Sequence, residues 1–129
     1  MPPASAFWLA LVVTVVLLGA TLWTGLSHRR RPHLWLGPLS MVALVLTIVL
    51  TEQLMACYDF PADTKAIHLP CAKVGGLLAL PVVLTGFWYW RRPTAKRWHQ
   101  IAVYGWLVSV LVATGTGLWM FSHGTLKAG

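Results

Sequence analysis

The chain has 129 residues, 57% of them hydrophobic and 10% charged, with a mean hydropathy of +0.69 and a formal net charge of +7. This balance excludes an ordinary soluble domain and describes an integral membrane protein. In a soluble protein the positive surplus would suggest a nucleic-acid partner, but seven of the ten Lys and Arg fall in two short loops, Arg29 to Arg31 and Arg91 to Arg97, and mark membrane topology instead.

Apolar runs predict four transmembrane helices, over about 4–26, 33–56, 69–90 and 98–121. Each is near the ~20 residues that a helix rising ~1.5 Å per residue needs to cross the hydrocarbon core. Backbone groups find no water in lipid, so continuous apolar runs of this kind favour helices. The first run, Ala4 to Leu26, carries no charge and has Trp8 and Trp23 near its ends. No basic region precedes it and no small-residue cleavage site follows, so it reads as a helix of the fold and not a secretory signal. The stretch SHRRRPH is a tight turn in which Pro32 disfavours helix at Arg31 and then suits the first turn of the next span. That second run passes through Pro38 to Thr51 and Glu52. The third contains Gly75, Gly76 and Pro81 and ends in the aromatic cluster Phe87 to Trp90. The fourth contains Gly105, Ser109, Thr114, Gly115, Thr116 and Gly117, a line of small residues that predicts a packing face.

By the positive-inside rule both basic loops are cytoplasmic. The expected architecture is therefore a single all-α domain, an antiparallel four-helix bundle in a bacterial inner membrane, with both termini and the 52–71 segment in the periplasm. The halves share a plan of helix, basic loop and helix. Arg30-Arg31-Pro32 in one loop matches Arg91-Arg92-Pro93 in the other, and a histidine, His33 or His99, opens the helix that follows. This suggests a weak parallel repeat.

The segment from Glu52 to Cys71 holds all three acids (Glu52, Asp59, Asp63), both cysteines and His68. Cys57 and Cys71 fall at predicted outer helix ends, where disulfides persist in bacteria. A disulfide here would close a loop of about 15 residues and stabilise by roughly 3 kcal/mol. A redox-active pair and two free thiols are the other readings, the former lacking the CxxC spacing that tunes a thiol for exchange. Glu52 lies about a turn inside its helix, where a carboxylate in a membrane marks function by default. With His68 and His123 at similar predicted height, it forms a candidate ligand set for zinc, copper or iron. The alternative is that Glu52 reaches interfacial water or is hydrogen-bonded by Gln53 and Thr51. His33 and His99, opening parallel helices, form a candidate pair of axial haem ligands. The alternative is interfacial histidines that meet lipid headgroups or water.

The stretch from Ile67 to Phe121 resembles the domain-of-unknown-function 420 family. The residues that carry the resemblance are His68, the run Leu80-Pro81-Val82-Val83-Leu84-Thr85, His99 before Ile101-Ala102, Trp106, Ser109-Val110 and Thr114-Gly115. The first half fits more loosely, through its basic loop and His33. Members of that family are small bacterial four-helix membrane proteins, some linked to cytochrome c oxidase assembly. Glu52 and Gln53 stand where the family pattern has a histidine, and the cysteine pair is not part of that pattern. The resemblance implies a partner in respiratory or photosynthetic electron transfer. No nucleophile-base pair, phosphate loop or acid-base dyad occurs in the chain, so no enzymatic activity is expected. The expected role is an accessory or assembly subunit of a larger membrane electron-transfer complex, meeting its partner subunits and lipids through intramembrane contacts. The alternative is a haem- or metal-binding redox protein using Glu52, His68 and His123, or His33 and His99.

Overall fold

The computed structural model describes residues 4–127, almost all of them helical. In chain order they form α1 (Ala4–Leu26), α2 (Arg30–Met55), a two-residue strand β1 (Tyr58–Asp59), α3 (Ala62–Arg91), a 3-10 turn (Pro93–Ala95), α4 (Lys96–Ser122) and a second short strand β2 (Thr125–Leu126). All four α-helices are long and apolar enough to cross a membrane. The chain divides into two compact units, Met1–Asp59 with Leu126–Gly129, and Phe60–Thr125. Each is built on one antiparallel helical hairpin.

In the first unit, α1 and α2 meet through polar side chains. The Thr14 and Thr47 hydroxyls lie 2.8 Å apart, and those of Thr21 and Ser40 lie 2.7 Å apart. Seven residues forward on α1 therefore correspond to seven residues back on α2, which is the register of an antiparallel pair. Phe7 and Leu54, both buried, occupy the next step of that register. A strict seven-residue spacing (Phe7, Thr14, Thr21; His33, Ser40, Thr47, Leu54) keeps one seam facing the partner helix, as in a left-handed crossing. Helix α1 ends with His28 at φ 55° and Arg29 N–H donating to Thr24 O at 2.9 Å. This is the C-terminal turn that glycine ordinarily supplies. Helix α2 starts at Arg30, ahead of the expected His33, because a proline is tolerated in a first turn whose N–H groups have no intrahelical partner. Beyond α2, Lys127 ties the tail to the helix end. Its N–H donates to Cys57 O at 3.1 Å and its ammonium to Ala56 O at 2.9 Å.

The second unit differs most from expectation at its start. Helix α3 begins at Ala62, not Leu69. Pro61 is pre-set for the entry, and Asp63 supplies negative charge to the first turn, where the helix dipole favours it. Its carboxylate accepts the Thr64 N–H at 2.9 Å, and the Thr64 hydroxyl donates to Pro61 O at 2.9 Å. The helix continues unbroken through Pro70 and Pro81. Phe60 sits edge-on to Phe121, with ring centroids 5.1 Å apart, and pins the entry of α3 to the end of α4. Buried positions again recur every seven residues on α3 (His68, Gly75, Val82), and on α4 Trp106 and Met120 are two such steps apart. At Gly75 the two helices pack at ordinary contact distance: a Cβ there would meet Ser109 O at 3.8 Å and the Ala113 Cβ at 3.9 Å.

The expected disulfide is corrected, because Cys57 and Cys71 are both free thiols. The expectation rested on a flexible loop between two helix ends. Instead the stretch from Ala62 to Cys71 is α-helix, which holds it roughly 14 Å long at ~1.5 Å per residue. Cys71 is thus a mid-helix residue, and the Cys57 thiol donates to Gln53 O at 3.6 Å.

Candidate functional site

Three histidines share one local construction, in which the imidazole lies against a glycine of the neighbouring helix and bonds to a threonine there. His68 of α3 is buried; its Nδ1 is 3.1 Å from Thr116 Oγ1, and a Cβ on Gly117 would come within 3.0 Å of its Cε1. His99 of α4 has Nδ1 3.2 Å from Thr85 Oγ1, and a Cβ on Gly86 would lie 3.2 Å from its Cε1. The His99 ring also stacks on Tyr89, at 6.1 Å and 27°. His33 of α2 has Nδ1 2.9 Å from Thr21 O, and a Cβ on Gly25 would lie 3.1 Å from its Cε1. Each glycine directly follows a threonine: Thr24-Gly25, Thr85-Gly86 and Thr116-Gly117. The missing Cβ is what opens the seat for the ring.

The hydrogen bonds fix which ring nitrogen carries the proton. Thr116 donates its single hydroxyl hydrogen to its own helix, at Val112 O (2.9 Å) and Ala113 O (3.1 Å). Thr85 does the same toward Pro81 O at 2.6 Å. Each hydroxyl is therefore the acceptor toward its histidine, and Nδ1 is the donor. For His33 the partner is a backbone carbonyl, which can only accept, so Nδ1 donates there too. An Nδ1–H held by an acceptor is also the arrangement that orients histidines whose Nε2 ligates a metal.

The other expected site residues lie elsewhere. Glu52 is an exposed residue in the last turn of α2, and its backbone carbonyl accepts the Ala56 N–H at 3.1 Å. His123 closes α4, where its Nδ1 donates to Trp119 O at 2.9 Å and its ring packs edge-on to Trp119 at 5.4 Å. Among the described residues no group of three or more His, Cys, Asp or Glu is arranged to hold a metal ion.

Several residues that sequence reasoning passed over do much of the interhelical bonding. Thr14 donates to Thr47, which donates in turn to Ala43 O at 3.0 Å. The seven-residue spacing of Thr14 and Thr21 against Ser40 and Thr47 is the signal that finds them. The glycines Gly25 and Gly86 are signalled by the Thr-Gly dipeptides. The expected packing face on α4 includes Gly117 and Ser109, whereas Gly105 and Gly115 have nothing within 4 Å of a built Cβ. Trp106 is only 3% exposed, and its indole N–H has no acceptor among the described residues. The chain matches no protein-family model, no curated protein and no solved structure.

Proposed function

We propose that this protein is a non-catalytic accessory or assembly subunit of a larger electron-transfer complex in a bacterial inner membrane, with both basic loops cytoplasmic and both termini periplasmic. One observation carries the reading. In each helix only 6–17% of the most apolar window is buried within the protein. Thr14, Thr21 and His68, by contrast, bond across the hairpins to Thr47, Ser40 and Thr116. What the protein presents outward is large and apolar, including Trp8, Trp23, Trp119 and Leu111. Aromatic and apolar side chains of this kind make intramembrane contacts with other helices as well as lipid. The resemblance of 67–121 to the domain-of-unknown-function 420 family supports the same assignment. A photo-crosslinker at Leu111, 71% exposed on α4, tests it in native membranes. The expected product is an adduct with a subunit of an electron-transfer complex; adducts with lipid alone contradict the reading.

A second reading is favoured by the shared histidine arrangement. An imidazole that donates from Nδ1 presents Nε2 to a haem iron or to a zinc, copper or iron ion. The buried His68 is of this kind. An absorption spectrum and metal analysis of the purified protein test it: a Soret band or a stoichiometric metal supports a haem- or metal-binding role, and neither being present rules it out.

A further inference from the structure

We infer that the turn between α3 and α4 binds the phosphate headgroup of an acidic phospholipid. Four exposed cations, Arg91, Arg92, Lys96 and Arg97, crowd into this turn. The only carboxylate side chain of the second unit is Asp63, in the first turn of α3. At ~1.5 Å per residue the length of α3 sets it roughly 40 Å from Arg91. No acid within the unit neutralises the turn. Local electrostatics add to the imbalance, because Lys96 and Arg97 occupy the first turn of α4, where the helix dipole disfavours cations. An external anion relieves both conditions.

The turn is also pre-organised. Arg92 leaves the helix in an extended conformation at φ −134° and ψ 112°, with its N–H donating to Trp88 O at 2.8 Å. Its carbonyl accepts the Ala95 N–H at 3.0 Å, and Ala95 is fully buried beneath the turn. The Arg91 guanidinium lies over the Phe87 ring at 4.6 Å. Trp90 and Trp98 flank the cations and are exposed, the side chains that settle at headgroup depth. Cations set beside interfacial tryptophans, at the end of two apolar helices, match a phosphate that is itself anchored by acyl chains. A soluble phosphate gains nothing from the aromatic flank. The inference rests on the membrane-spanning character of α3 and α4 and is independent of the proposed partner complex.

Native mass spectrometry of the purified full chain in detergent, with phosphatidylglycerol or phosphatidylcholine added, tests the proposal and does not depend on membrane orientation. Phosphatidylglycerol adducts are expected to dominate. In R92Q/K96Q/R97Q that preference falls at least about fivefold, the effect of removing even one cation near an anionic headgroup, while R29Q/R30Q/R31Q retains it. Equal binding of the two lipids, a smaller fall in the first variant, or loss of the preference in the second variant overturns the proposal. Displacement of the lipid by millimolar inorganic phosphate does so too, since the ligand would then be a soluble anion. If R92Q/K96Q/R97Q lacks native helicity, salt decides on the wild type: the preference disappears at about 1 M, where screening shortens to about 3 Å, and its persistence overturns the electrostatic site.

Discussion

His68 and Thr116 close the α3–α4 hairpin with a 3.1 Å hydrogen bond that exists because Gly117, one residue further on, has no side chain. A Cβ at that position would come within 3.0 Å of the imidazole. Gly117→Ala should therefore displace His68 and destabilise the hairpin by about 1–3 kcal/mol, the cost of overpacking a close contact. Gly115→Ala, with nothing within 4 Å of the added Cβ, should be neutral or stabilising by up to about 1 kcal/mol through helix propensity. Equilibrium unfolding in mixed micelles separates the two. Equal effects would mean that the ring does not occupy the seat.

The Thr14–Thr47 rung is a closed chain of donors, so Thr47→Val leaves the Thr14 hydroxyl without its acceptor. Interhelical hydrogen bonds in membranes average about 0.6 kcal/mol and reach about 1.7. A double-mutant cycle with Thr14→Val and Thr47→Val should return a coupling energy in that range by the same unfolding assay. Additive effects would show that the rung contributes nothing between α1 and α2.

Trp106 combines near-complete burial with an indole N–H that has no acceptor among the described residues. Trp106→Phe removes that donor and keeps an aromatic ring, so it should cost under about 1.5 kcal/mol despite the loss of volume. Trp106→Ala should cost about 3–5 kcal/mol. If Trp106→Phe is as damaging as Trp106→Ala, the N–H has a partner that stabilises the fold.

His28 holds a left-handed backbone conformation at φ 55° where α1 ends. Replacing it with glycine removes the steric penalty of a Cβ in that region, of order 1–2 kcal/mol for non-glycine residues. His28→Gly should raise thermal stability, measured by loss of helical circular dichroism on heating. A lower melting temperature would mean that the His28 side chain stabilises the turn by more than its backbone strain costs.

Much of this fold was legible in the apolar runs, because membrane spans announce themselves by length and hydropathy: α1 matches its expected bounds and α2 and α4 differ by a few residues. The start of α3 was missed because Asp63, Lys65 and His68 read as a polar cap, although Pro61 followed by Asp63 is also a helix-start signal. The disulfide was lost with it, since helix through Cys71 removes the loop that it would have closed. At the candidate site, His33, His68 and His99 stand out in the sequence as polar residues in apolar surroundings. Their glycine seats do not, because a seat depends on the register between two helices, and that register is set by cross-helix contacts such as Thr14–Thr47 and Gly75–Ser109. Local sequence signals the periodicity of one helix and is silent on which turn of its neighbour it meets.

The proposed role as a subunit of a larger membrane complex is tested by affinity purification of the tagged full chain from native membranes in a mild detergent, followed by size separation. The expected result is co-elution with the subunits of an electron-transfer complex in constant proportion. Elution as a stable, isolated chain with no other protein would contradict it.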